Sequence, residues 1–219
     1  MIRIISSSLI GAIWFHFIGL LSLLYFYIFC NGKLYNIKNV ENEFDKGFIL
    51  APNHTSYFDW LILYAIFLYK YKLKIIFFAK KKLFKHPVFC ILMHRANCIC
   101  VNGNDGMNKE FIKSIKKNKY LAIFPEGTRS RTGELVELKS GIIKVSAITM
   151  RPIIPVALCG FYRAWPPHNK FPRINKCHII FGDPYIPAVT TRKDLTEELI
   201  ADELSSLKVK LSKLLIANP

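Results

Sequence analysis

A histidine and an aspartate five positions apart, His54 and Asp59, stand in the stretch Asn53-His54-Thr55-Ser56-Tyr57-Phe58-Asp59. A neutral imidazole held in one tautomer by a carboxylate is a general base poised near physiological pH, fit to take the proton from a hydroxyl. The apolar run from Gly47 to Ala51 reads as a strand, Pro52 turns the chain, and Trp60 to Leu68 reads as a helix. Both side chains then fall near the first turn of that helix, outside the carboxyl end of a strand. Asp59 is favoured at a helix start on any account, because unpaired N–H groups and the positive end of the helix dipole lie there.

A second stretch supplies a different chemistry. After the strand-like run Tyr120-Leu121-Ala122-Ile123 comes the loop Phe124-Pro125-Glu126-Gly127-Thr128-Arg129-Ser130. Gly127 permits close backbone approach, Thr128 and Ser130 offer hydroxyls, and the planar fork of Arg129 suits a phosphate. The loop is an anion site by composition. Glu126 fits it less directly, since a carboxylate repels phosphate; its expected part is to organise the loop or to bind a hydroxyl.

Taken together, the two segments resemble the glycerolipid acyltransferase family that includes the 1-acyl-glycerol-3-phosphate acyltransferases, over about residues 33–187. The resemblance implies transfer of an acyl chain from a thioester, acyl-CoA or acyl-ACP, to a glycerol hydroxyl of lysophosphatidic acid, giving phosphatidic acid. It implies His54 and Asp59 as the catalytic dyad, and Glu126, Gly127, Thr128 and Arg129 as the residues around the acceptor and its phosphate. Ala79-Lys80-Lys81-Lys82-Leu83-Phe84 to Arg95, and Ile153-Ile154-Pro155-Val156-Ala157, are similar to flanking family motifs. One departure stands out: where many members carry Asp and Arg, this chain reads Ile99-Cys100-Val101-Asn102-Gly103. Lys139, before Ser140-Gly141, is the expected substitute in substrate binding, with Arg95 as the alternative.

The elements that must position these residues alternate along the chain. Strands are expected at Leu34–Val40, Phe48–Ala51, Leu73–Ala79, Cys98–Val101, Leu121–Phe124, Ile153–Leu158 and Cys177–Phe181. Helices are expected at Trp60–Tyr69, Pro87–Arg95, Lys109–Lys117 and Ser140–Met150, and in a last helix begun by Thr191 and Asp194 with Leu195, Leu199, Leu207, Leu211 and Leu214 on one face. This alternation predicts an α/β fold with a mixed, mostly parallel sheet flanked by helices, and ligands outside the carboxyl ends of the strands.

Composition frames the setting. Thirty-one Lys and Arg oppose fifteen Asp and Glu, a formal +16, while 52% of residues are apolar. Nucleic acid is disfavoured as a partner because the aromatics cluster with aliphatics instead of alternating with Lys and Arg. Membrane lipids suit both numbers. From Ile4 to Asn31 no side chain is formally charged, which reads as an N-terminal membrane helix, residues 1–32, followed by a catalytic domain, 33–219. Arg3 alone precedes this segment while Lys33 and Lys38 follow it, placing the body on the cytoplasmic side of the membrane.

Three further patterns carry rival readings. His86, Cys90, His94 and Cys98 fall four apart, a spacing zinc would accept, but apolar neighbours read them as core packing and no metal site is expected. The loop Trp165-Pro166-Pro167-His168-Asn169-Lys170-Phe171-Pro172-Arg173 suits either a lipid-facing or an ordinary rigid loop. An acyl-enzyme on Ser56 or a cysteine is the mechanistic rival to direct base catalysis, disfavoured because no Gly-x-Ser-x-Gly turn is present. The reaction requires no metal or redox cofactor. Outside acyl transfer to lysophosphatidic acid, the alternatives are another lysolipid or amino-acid lipid acceptor, or a non-catalytic protein that binds anionic lipid.

Overall fold

A computed structural model describes residues 9–85, 87–96, 98–101, 108–188 and 196–217. Seven strands form one sheet: β1 (Lys33–Tyr35), β2 (Phe48–Pro52), β3 (Ile76–Lys80), β4 (Ile99–Val101), β5 (Tyr120–Ala122), β6 (Ile153–Cys159) and β7 (His178–Phe181), in the order β1-β7-β6-β2-β5-β3-β4. Every neighbouring pair is parallel except β6 and β7. The expected α/β class with a mixed, mostly parallel sheet is the observed one.

A parallel sheet needs cover on both faces, and its central strands are therefore apolar without alternation. All five residues of β2 and all seven of β6 are buried. Successive side chains point to opposite faces, so Phe48 and Leu50 join one core while Ile49 and Ala51 join the other. The first core is closed by α1 (Leu9–Leu24) and α3 (Asp59–Lys70), the second by α7 (Gly141–Thr149) and α9 (Glu197–Ile216). Between them run the shorter helices α2 (Lys38–Glu41), α4 (Lys81–Lys85), α5 (Pro87–Arg95), α6 (Lys109–Lys117) and α8 (Phe161–Ala164).

Several element ends differ from the sequence expectation, for local reasons. The first strand stops at Tyr35 because Asn36 takes φ +56°, and Val40 sits in the short helix α2 instead. The third strand begins at Ile76 instead of Leu73, whose N–H donates to the Phe67 carbonyl at 3.0 Å where Lys72, at φ +59°, ends the helix before it. Helix α9 is capped by Thr196, whose hydroxyl accepts the Leu199 N–H at 3.2 Å; Thr191, Asp194 and Leu195 lie outside the described residues, as do His86, Asn102 and Gly103. Of the four-apart stripe, Cys90 is buried in α5, His94 is exposed at the same helix's end, and Cys98 leads into β4.

One helix among the described residues is long and apolar enough to cross a membrane, Gly11–Phe29. It continues α1 through a π-helical turn, Tyr25–Phe29. Instead of projecting from the body it lies along α3 and α5 and shares the first core, where Phe15, Phe26 and Cys30 are buried. Phe15 stands edge-on to Tyr64 at 5.4 Å, and Gly19 lets Tyr69 approach its backbone. The opposite face leaves Trp14, Phe17, Leu21 and Ile28 exposed.

Candidate active site

Strands β2 and β5 are neighbours at the centre of the sheet, and both sequence motifs leave from their carboxyl ends. Ligands gather at such ends because the connecting loops open a crevice there. Asn53, just beyond β2, turns its side chain back to accept the Leu158 N–H at 2.7 Å, which pins the exit of β2 to β6.

His54 follows. Its Nδ1 lies 2.8 Å from Asp59 Oδ2, and Asp59 is the first residue of α3. The same oxygen accepts the N–H groups of Thr55 at 2.6 Å and Ser56 at 2.8 Å, so the chain curls around the carboxylate. Asp59 is fully buried, whereas the His54 side chain keeps 18% of its surface open. A carboxylate only accepts hydrogen bonds, so in the neutral ring Nδ1 carries the proton and the Nε2 lone pair is left as the base. Phe124, expected at the end of a strand but two residues beyond β5, stacks on the imidazole at 4.0 Å and 24°, and Phe77 stacks behind Phe124. The ring is thus fixed by a hydrogen bond at its edge and by an aromatic face.

The second loop is laced directly onto the first. Ser130 N–H donates to the His54 carbonyl at 2.8 Å, and His54 N–H donates to Glu126 Oε1 at 2.6 Å. The other Glu126 oxygen accepts the Val136 N–H at 3.2 Å, and Glu126 is buried. Burial pushes its carboxyl up to about 7, against the opposing effect of the two N–H bonds, with the Asp59 charge adding to the rise. The structure therefore gives Glu126 the role of fastening the two motifs together, with both oxygens committed to the chain itself.

Around this fastening lie the cationic groups. Arg129 lays its guanidinium 3.9 Å from the centre of the Tyr57 ring. Thr128 is exposed beside it. Gly127 takes φ +65°, and a Cβ there would stand 3.1 Å from Lys139 Cδ, so Lys139 passes directly over this glycine. Lys139 N–H also donates to the Pro125 carbonyl at 2.8 Å. His54, Asp59, Glu126, Gly127, Thr128, Arg129 and Lys139 thus gather in one place, whereas Arg95 ends α5, which packs on α1. Ser130 turns inward, its hydroxyl accepting the Gly133 N–H at 3.1 Å.

One contact between segments gave no sequence signal. Ser56 donates its hydroxyl to the Trp165 carbonyl at 2.8 Å and Tyr57 donates to the Pro167 carbonyl at 3.1 Å. The Trp-Pro-Pro loop therefore forms one wall of the site, more than a hundred residues away in the chain. An acyl-enzyme on Ser56 meets an obstacle here, since that hydroxyl is buried and bonded away from His54.

Comparison with known proteins gives the family and the fold. A family profile described as Acyltransferase matches residues 32–159, more than half of the chain. The chain is similar to a protein named 1-acyl-sn-glycerol-3-phosphate acyltransferase from Bacillus subtilis (strain 168), 27% identical over 83% of this chain and 90% of that one. A protein of the same name from Cocos nucifera is 37% identical over 53% of this chain, which spans only 39% of that relative's length. The fold is shared with the crystal structure of the 1-acyl-sn-glycerophosphate acyltransferase PlsC from Thermotoga maritima, with a TM-score of 0.69 and 22% identity, over 91% of this chain and 79% of the other.

Proposed function

The chain belongs to the acyltransferase family, and from that premise we propose that it moves a fatty acyl chain from a thioester to the free hydroxyl of lysophosphatidic acid, forming phosphatidic acid. The observation that carries the reading is the His54–Asp59 pair at 2.8 Å, which leaves Nε2 as a base beside a cationic loop. The names of the relatives supply the acceptor.

In this mechanism the acceptor hydroxyl gives its proton to His54 Nε2 as its oxygen attacks the thioester carbonyl. The tetrahedral intermediate collapses, the carbon–sulfur bond breaks, and the imidazolium returns the proton to the departing sulfur. The products are an ester and a free thiol of coenzyme A or acyl carrier protein. Base catalysis of this kind supplies roughly 10² to 10⁴ in rate, so positioning and oxyanion stabilisation supply the rest. Arg129 is the leading phosphate ligand, with Lys139, Gly127 and Thr128 beside it, because a guanidinium fork matches phosphate oxygens. Glu126 serves the acceptor site indirectly, by holding its loop against His54. The apolar face of α1 and the +16 charge support work at a membrane surface, and Lys33 and Lys38 after the apolar segment favour its cytoplasmic side.

Acyl transfer from a labelled thioester, compared across lysophosphatidic acid, lysophosphatidylethanolamine and lysophosphatidylcholine, tests this reading. Product from the first acceptor alone is expected. Preference for a different lysolipid, which Asn102-Gly103 in place of the family's usual Asp and Arg makes worth including, would reassign the acceptor within the family.

A further inference from the structure

Two segments that are distant in sequence meet beside the active-site mouth, and neither carries an acidic residue. No Asp or Glu precedes Glu41, and none lies between Glu137 and Asp183. The Tyr25 hydroxyl, at the end of the apolar helix, donates to the Arg173 carbonyl in the Trp-Pro-Pro loop. Cys177 N–H donates to the Cys30 carbonyl at 3.0 Å. Tyr25 stacks on Phe58 at 4.7 Å, and Trp165 stands edge-on to the same ring at 4.5 Å. Helix end, loop and the start of α3 are therefore one packed unit.

The outer surface of that unit is apolar and cationic. The helix side shows Trp14, Phe17, Leu21, Leu24 and Ile28, and the strip reaches the loop through Phe29, which stacks on Tyr25 at 6.3 Å. In the loop, Phe171 and Ile174 are 78% and 74% exposed. Lys170, Arg173 and Lys176 alternate with them and are exposed as well. A single exposed apolar side chain is ordinary on a protein surface, but a connected strip of them calls for a partner.

We propose that the 165–176 loop is a second membrane-contact element, in which Phe171 and Ile174 enter the acyl region of a leaflet while Lys170, Arg173 and Lys176 bind anionic phospholipid head groups. Apolar burial and attraction to anionic lipid are the two terms that hold an interfacial segment, and this loop supplies both next to the exposed face of α1. The same loop holds the Ser56 and Tyr57 hydroxyls through its Trp165 and Pro167 carbonyls. Its docking sets the mouth of the site against the lipid surface. The proposal rests on α1 as a membrane element and does not depend on which lipid accepts the acyl group.

The test is partition of the full-length protein, diluted from detergent, onto phosphatidylcholine vesicles with and without phosphatidylglycerol, read by flotation. Phe171→Asp with Ile174→Asp is expected to lower partition onto both vesicle types on the order of tenfold, and Phe171→Leu is expected to match wild type. Lys170→Glu with Arg173→Glu is expected to lose on the order of tenfold on the phosphatidylglycerol vesicles alone. Unchanged partition in both pairs would overturn the proposal. So would a loss shared by Phe171→Leu, because apolar character would then not be what the site requires. A wild-type dimer in detergent that the Asp pair dissolves would give the surface to a second copy of the chain instead. Turnover on a dissolved short-chain acceptor reports separately on the acyl-transfer reading; its absence in wild type would contradict that reading and leave the partition result standing.

Discussion

His54 and Asp59 are joined through one carboxylate oxygen, Oδ2, which lies 2.8 Å from Nδ1 and also accepts the Thr55 and Ser56 amides. The three donors leave the carboxylate no freedom to turn, so the imidazole is oriented by the backbone as much as by the aspartate. Replacing Asp59 with Asn leaves an amide oxygen in the Oδ2 place for the three donors but removes the negative charge that stabilises the imidazolium formed during transfer. Asp59→Asn is expected to lower kcat by roughly 10² to 10⁴ while the variant still folds, as read by steady-state kinetics beside a thermal melt.

Glu126 gives the protein a pH signature. Its carboxyl is raised from 4.5 to about 7 by burial, so the folded state binds the proton more tightly than the unfolded chain does. Stability from this group is complete below pH 4.5 and is lost as pH rises through about 7. The whole effect is at most about 3 kcal/mol. Urea denaturation of wild type and Glu126→Gln across that window should show a falling stability in wild type and a flatter line in the variant, whose absolute stability is lower because the amide NH2 opposes one of the two N–H donors.

Arg129 separates binding from chemistry. If its guanidinium holds the acceptor phosphate, Arg129→Ala raises KM for lysophosphatidic acid about 10- to 100-fold, the worth of one charge-assisted hydrogen-bonded contact. Arg129→Lys recovers part of this, since the charge returns without the fork. Initial-rate kinetics with varied acceptor at saturating thioester checks it.

Gly127 is held at φ +65° under Lys139. An L-residue in that region costs about 1–2 kcal/mol, and its Cβ also crowds the Lys139 stem. Gly127→Ala should lower the melting temperature and raise KM for the acceptor, with a smaller change in kcat, because His54 is fixed by separate contacts.

The apolar N-terminal helix is part of the fold as well as long and apolar enough to cross a membrane. Phe26 is fully buried against Phe161 and Gly32. Phe26→Ala should cost about 3–5 kcal/mol in denaturation measured in detergent. Ile28→Ala, on the exposed face, should change little in the same experiment.

The dyad was legible because its geometry is local: both residues fall within one strand-to-helix turn, and strand β2 declares itself by an unbroken apolar run. The place of the Phe124–Ser130 loop, beyond the carboxyl end of a neighbouring strand, was legible for the same reason. What the sequence withheld depends on long-range packing. Nothing near Tyr57 announces that its hydroxyl meets Pro167, or that Phe124 covers His54. Asn36 ends the first strand by a left-handed turn that its neighbours do not demand. The N-terminal helix shows the limit most clearly, since Phe26 in the core and Ile28 on the surface are both apolar residues of one run. Core and bilayer select the same composition, and only the packed structure separates the two faces.

The most direct test of the account is the single-turnover rate of acyl transfer from a labelled thioester to lysophosphatidic acid, for wild type and His54→Ala at saturating concentrations of both substrates. The account predicts phosphatidic acid from wild type and a rate lower by roughly 10² to 10⁴ for folded His54→Ala. Transfer by His54→Ala at the wild-type rate would contradict it, because the base that Asp59 orients would then take no part in the chemistry.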